Sequence, residues 1–165
     1  MKWFILDTIL KLGYLITKPK PRPAIERCKK NGRGLEIGVW YGDHAKQIKH
    51  FLNCELFLLD DYEPYNDPFI YYDIKMLQKA KRIAHKRFKK GWIDRSFNEP
   101  LDFVYIDANH GYESVIKDIE FAQRLVKHGI IGGHDYSLDF PGVVKAVNEK
   151  FKNVKHYNND WWTVV

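Results

Sequence analysis

Apolar positions along the chain follow two rhythms. Short runs, apolar throughout or nearly so, stand at Arg33–Gly38 (RGLEIG), Glu55–Asp60 (ELFLLD), Leu101–Asp107 (LDFVYID) and Gly129–Gly133. They have the length of buried strands, with Gly, Asn, Asp or Pro at or near their ends. Between them apolar residues recur at helical spacing. Ala45, Ile48, Phe51 and Leu52 mark a helix that Asp43 can cap, and Ile74, Leu77, Ala84 and Phe88 mark one from Asp73 to about Lys90. Val115, Ile119, Ala122 and Val126 mark a third, Tyr112 to Lys127. Val143, Val144, Val147 and Phe151 mark a fourth, with Pro141 suited to its first turn. Asp61–Pro68 reads as loop, Trp92–Ile93 as a brief strand, and Val154–Tyr157 and Trp161–Val165 as two closing strands. Strands alternating with helices predict an α/β domain, a mostly parallel sheet with helices on both faces.

The first 17 residues, MKWFILDTILKLGYLIT, carry Asp7 and Lys11 on one side and a wide apolar face with Trp3, Ile5, Ile9 and Leu12. That is an amphipathic helix, too interrupted to span a membrane and without a small-residue cleavage site. Its apolar face packs on the domain or on a second copy of the chain in a homodimer. Alternatively it lies on a membrane surface, since Lys18, Lys20 and Arg22 follow directly. KPKPRP then reads as an extended linker. The expected division is residues 1–22 as helix and linker and residues 23–165 as one domain. Two separated cysteines, Cys28 and Cys54, argue against a disulfide framework or a thiolate zinc site and fit the cytoplasm.

In open α/β sheets ligands bind beyond the carboxyl ends of the strands. The first strand ends in Glu36-Ile37-Gly38-Val39-Trp40-Tyr41-Gly42. Gly38 and Gly42 allow a tight turn and close approach of backbone to a ligand, and a carboxylate inside a buried strand asks for a donor or a cation. The second ends in Asp60-Asp61, where ribose hydroxyls are held in nucleoside-binding α/β folds. The last two such ends carry Asp107-Ala108-Asn109-His110 and Gly133-His134-Asp135. Imidazoles suit proton transfer, and the two aspartates offer hard oxygens for Mg²⁺ or another divalent cation.

These segments resemble class I S-adenosylmethionine-dependent methyltransferases, in the small branch that sits among O-methyltransferases of sugars and small metabolites. The likeness rests on LEIGVWYGDH (Leu35–His44), FLLD (Phe57–Asp60), LDFVYIDANHGYESVIKDI (Leu101–Ile119), IIGGHDY (Ile130–Tyr136) and PGVVKAVNEKF (Pro141–Phe151), and covers roughly Gly34 to Val165. It implies a Rossmann-like three-layer fold with a seven-stranded sheet in the order 3-2-1-4-5-7-6, the last strand antiparallel and the third short or missing. It implies S-adenosyl-L-methionine as cofactor, with Glu36, Gly38, Tyr41 and Gly42 at its methionine end, Asp60 at the ribose, and Asp94 and Ser96 at the adenine. Asp107, His110 and His134 would serve the transferred methyl and the acceptor, and Asp107 and Asp135 a metal. Asn109 stands where the family often has Asp, which weakens the metal case, and Val126-Lys127-His128-Gly129 replaces its K-P-G-G.

The implied reaction is attack of a hydroxyl of a small molecule or sugar on the activated methyl, with His134 or His110 removing the proton. Two other readings are a nucleic-acid methyltransferase and a cofactor-binding domain that serves as an interaction partner without catalysis. The charge bears on the first: 27 Lys+Arg against 21 Asp+Glu give +6. Yet the basic residues concentrate in Lys18–Arg33 and in Lys75–Lys90, where eight bases meet no acid. The strand ends belong to the acidic remainder, which suits a sulfonium better than a phosphate backbone, so nucleic acid is disfavoured.

Overall fold

The computed structural model describes residues 20–63 and 74–165. The amphipathic segment Met1–Thr17 and most of the loop before Pro68 lie outside the described residues. The elements are α1 (Pro23–Glu26), β1 (Arg33–Ile37), α2 (Asp43–Leu52), β2 (Glu55–Leu59), α3 (Ile74–Phe88), β3 (Phe103–Ile106), α4 (Tyr112–Leu125), β4 (Ile130–Gly133), α5 (Pro141–Lys150), β5 (Lys155–Tyr157) and β6 (Asp160–Val164). They match the apolar rhythm closely where runs and stripes are buried; Ile74, expected inward, is exposed at the start of α3, and β5 is exposed throughout because it sits at the sheet's edge.

The sheet has six strands among the described residues, in the order β2-β1-β3-β4-β6-β5. The first four run parallel, and β6 is antiparallel to both β4 and β5. The expected count of seven is therefore one too high here: Trp92 makes only a single parallel bridge, to Leu58. Trp92-Ile93 is too short and too close to the Asp94 turn to extend a ladder.

Alternation along the strands divides the core. Leu35, Ile37, Val104, Ile106 and Ile131 point to the face covered by α4 and α5. Phe103, Tyr105, Leu56 and Leu58 point to the face covered by α1, α2 and α3. Glu36 shares the parity of Tyr105 rather than of Leu35, so this buried carboxyl lies under α2. Helix α1 was not expected from the linker composition. Pro23 at its first turn supplies the helical φ in advance, and Ala24 and Ile25 are fully buried against the sheet.

Candidate active site

The turn after β1 is held by glycine geometry. Gly38 has φ +87°, and a Cβ there would stand 1.9 Å from the carbonyl oxygen of Asp107. The backbone of the first turn thus passes directly over the end of β3, which no side chain would permit. Gly42, at φ +76°, closes the turn in front of α2. The carboxylate of Asp60, at the end of β2, clamps this loop. Its Oδ2 accepts from the amides of Val39 (2.7 Å) and Trp40 (2.9 Å), and its Oδ1 from Tyr62 (2.8 Å). Burial raises the Asp60 carboxyl despite these three donors.

Two cavities flank Gly38 and Ala108, which line both. One, of about 270 Å³, is bordered by Asp60, Asp61, Glu63, Arg95, Asn109 and Asp118. The other, of about 280 Å³, is bordered by Arg22, Glu36, Tyr41, His44, Asp107, His110 and Asp135 among others. The polar strand ends expected from the sequence therefore converge on one edge of the sheet. Asp94 and Ser96 lie outside both linings. They close on one another in an exposed turn, Asp94 Oδ1 accepting from the Ser96 amide at 2.8 Å and also from its hydroxyl. The residue between them, Arg95, reaches the first cavity and pairs with Asp118 Oδ1 at 2.5 Å.

Glu36 is 1% exposed, and only its Oε1 has a partner, the Nδ1 of His44 at 2.7 Å. Oε2 is buried and makes no hydrogen bond among the described residues. Burial first, then the neighbouring Asp107, raise the Glu36 carboxyl well above its ordinary range. Burial and the Arg22 charge lower the His44 imidazole to about 3. The contact has the geometry of a salt bridge, but these directions make it a hydrogen bond within a neutral pair.

Asp135 sits in the left-handed region at φ 61°, a conformation that aspartate tolerates better than most residues. Its Oδ1 accepts from His134 Nδ1 at 3.0 Å and its Oδ2 lies 2.8 Å from His110 Nε2. Burial alone would raise this carboxyl, but the two imidazole contacts outweigh it and hold Asp135 below the usual carboxylate range. Asp107 meets a different partner: Arg22 Nη1 donates to its Oδ2 at 2.6 Å and to Tyr105 Oη at 2.8 Å. Tyr105 in turn donates to Asp160 Oδ1 at 2.5 Å, while the Ala24 amide donates to Asp160 Oδ2 at 2.6 Å. Arg22, His44, Arg95 and Asp160 were missed by sequence reasoning. For Asp118 a signal existed, since it falls within the apolar stripe of α4 beside Val115, Ile119 and Ala122.

Asp107, His134 and Asp135 can each bring one ligand atom within 4.8 Å of the others. However, both Asp135 oxygens face imidazole nitrogens and Asp107 Oδ2 faces a guanidinium. Three of the four carboxylate oxygens thus face cationic or N–H partners, which does not fit an open site for a hard cation.

A parallel sheet with a glycine turn after a central strand, an acid clamping that turn and polar ends on the next two strands defines an α/β domain of the cofactor-binding type. Residues 35–136 match the model of a family described as a methyltransferase domain, and the chain belongs to that family. S-Adenosylmethionine is the cofactor of this methyltransferase family. No curated protein matches the sequence. Among solved structures, the chain is similar to the calicheamicin methyltransferase CalS11, with TM-score 0.58, 12% identity, and 81% of this chain and 72% of that one covered. It is also similar to a precorrin-6y C5,15-methyltransferase from Geobacter metallireducens, with TM-score 0.55, 16% identity, and coverage of 84% and 82%. A third is a SAM-dependent O-methyltransferase from Thermotoga maritima, with TM-score 0.54, 14% identity, and coverage of 82% and 51%. At such identities the likeness concerns the fold. The chain spans 39% to 59% of the length of several solved relatives.

Proposed function

We propose that this chain transfers a methyl group from S-adenosylmethionine to a hydroxyl of a small molecule or sugar. The observation that carries the cofactor half is the orphaned Oε2 of Glu36 beside the Gly38 turn. A buried carboxyl oxygen without a donor is costly unless a ligand supplies one, and an amino-acid ammonium is such a donor. Glu36, Gly38 and the Tyr41–Gly42 backbone would hold the methionine end. Asp60 with Asp61 would border the ribose, and the cavity at Arg95, Asn109 and Asp118 would take the base. Bound there, the cofactor supplies an electrophilic methyl on a sulfonium.

The residues of the second cavity then need only align an acceptor, and His134, which lies outside both linings but against Asp135, takes its proton. Asp135 fixes both imidazoles, as an orienting carboxylate does. With Nδ1–H given to Asp135, His134 keeps Nε2 for the proton. His110 turns Nε2 to Asp135, leaving Nδ1, which is buried. His134 is therefore the base and His110 helps to hold Asp135. An acceptor hydroxyl held there would give its proton to His134 as its oxygen took the methyl, the displaced electron pair remaining with the cofactor's sulfur. Calorimetry with S-adenosylmethionine and S-adenosylhomocysteine, followed by labelled methyl transfer to a panel of hydroxylated acceptors, tests the reading. Absence of binding by either nucleoside refutes it. Turnover unaffected by His134→Ala refutes the base.

A further inference from the structure

We propose that Arg22 is the resident cation of this site: its guanidinium holds the place at Asp107 that a divalent metal would take, and the transfer is metal-independent. The inference rests on the hydroxyl-methylation reading above, but its test does not require turnover.

The placement of Arg22 is over-determined. Its carbonyl accepts from the amides of Ile25 (2.9 Å) and Glu26 (3.2 Å), so it begins α1. Ala24 and Ile25 directly after it are buried at 0% and 1% exposure, and the Ala24 amide is tied to Asp160. The side chain then crosses to the strand ends, where Nη1 donates to Asp107 Oδ2 and Tyr105 Oη. Tyr105 is itself fixed by Asp160. The same carboxylate thus anchors both the backbone that carries Arg22 and the hydroxyl that receives it. This guanidinium is a built part of the cavity rather than a surface side chain that happens to meet an acid.

A cation bound through Asp107, His134 and Asp135 would lie beside this positive charge, with three of the four carboxylate oxygens already facing cationic or N–H partners. Arg22 removes the need for it. Two of its guanidinium nitrogens, Nε and Nη2, make no hydrogen bond among the described residues, and the residue lines the acceptor cavity. They offer donors to an acceptor oxygen whose proton passes to His134. A metal would lower that oxygen's pKa by direct ligation. A guanidinium does so less strongly, by charge and hydrogen bonding, but in fixed geometry and without an exchangeable ion.

Mn²⁺ titration of the full chain, read by calorimetry and by the electron paramagnetic resonance of free Mn²⁺, tests this. The wild type is expected to show no Mn²⁺ site that Asp107→Asn removes. Arg22→Ala is expected to bind Mn²⁺ at least tenfold more tightly, with the gain abolished by adding Asp107→Asn. Arg22→Lys, which keeps a charge, is expected to stay near wild type. A wild-type Mn²⁺ site lost in Asp107→Asn overturns the proposal, as does a folded Arg22→Ala with no gain. If Arg22→Ala does not fold, Arg22→Gln and the wild-type titration decide in the same way. S-Adenosylhomocysteine binding, measured on the same samples, reports on the methyltransferase reading separately.

Discussion

Replacing Glu36 by Gln should raise stability and lower cofactor affinity at once. Gln keeps the shape and a carbonyl oxygen for His44, and removes an acid that burial and Asp107 push well above its ordinary range. Between the ordinary carboxylate value and this raised one, the folded chain holds a proton that the unfolded chain has released. Stability therefore falls as pH rises through that window, and every tenfold weakening of the acid on folding amounts to about 1.4 kcal/mol. Gln does not ionise, so the variant should gain about 1–3 kcal/mol at pH 8, one to two such tenfold steps. For a chain of this size that raises Tm by roughly 3–8 °C. The advantage should shrink on acidification and vanish below about pH 4, where both states of the wild type are protonated. Losing a charge-assisted contact of about 1.5–3 kcal/mol should weaken S-adenosylhomocysteine by roughly 10- to 100-fold. Thermal melts across pH and calorimetry read the two effects. A stability difference that does not vary with pH, or an unchanged affinity, would contradict a buried Glu36 that waits for a donor.

Three further outcomes follow from the geometry. Gly38→Ala forces a Cβ to 1.9 Å from the Asp107 carbonyl at a positive φ, and should cost more than about 2 kcal/mol in urea unfolding; a loss under about 0.5 kcal/mol would contradict the turn described. Asp160→Ala strips the acceptor from the Ala24 amide and the Tyr105 hydroxyl, and should cost about 2–4 kcal/mol with faster hydrogen exchange at Ala24; unchanged exchange would count against it. Arg95→Ala leaves the buried Asp118 carboxylate, already raised by burial, without its partner. It should cost about 1–2 kcal/mol at pH 7, after allowance for the half-exposed Arg95, and little below about pH 4, where Asp118 is neutral; an equal cost at both pH values would exclude the pairing as its source.

The fold was legible because it is written in local pattern. RGLEIG, ELFLLD and LDFVYID are buried strands, and the stripe Val115, Ile119, Ala122 is a buried face, so periodicity alone reveals them. The strand ends bearing Asp60, Asp107, His110 and Asp135 followed, since a parallel sheet collects those ends on one edge. What stayed hidden is what depends on long-range reach. Arg22 meets Asp107 across 85 positions, and Asp160 meets Ala24 across 136. His44 stood in plain view inside the glycine segment, but its spacing from Glu36 says nothing of a hydrogen bond made by folding α2 back over β1. The single bridge of Trp92 lies below the length at which alternation can be read.

The Asp160 contacts also set an order of events during synthesis. Arg22 and Tyr105 emerge from the ribosome long before the residue that fixes them, which belongs to the last strand of the sheet. Until Asp160 arrives, the Ala24 amide and the Tyr105 hydroxyl lack their acceptor, and Arg22 has no anchored backbone from which to reach Asp107. The strands that carry the glycine turn can pair earlier, because β1, β2 and β3 precede it in the chain. A nascent chain would thus form the cleft at the glycine turn first and gain the Arg22–Asp107 side only once β6 has been made.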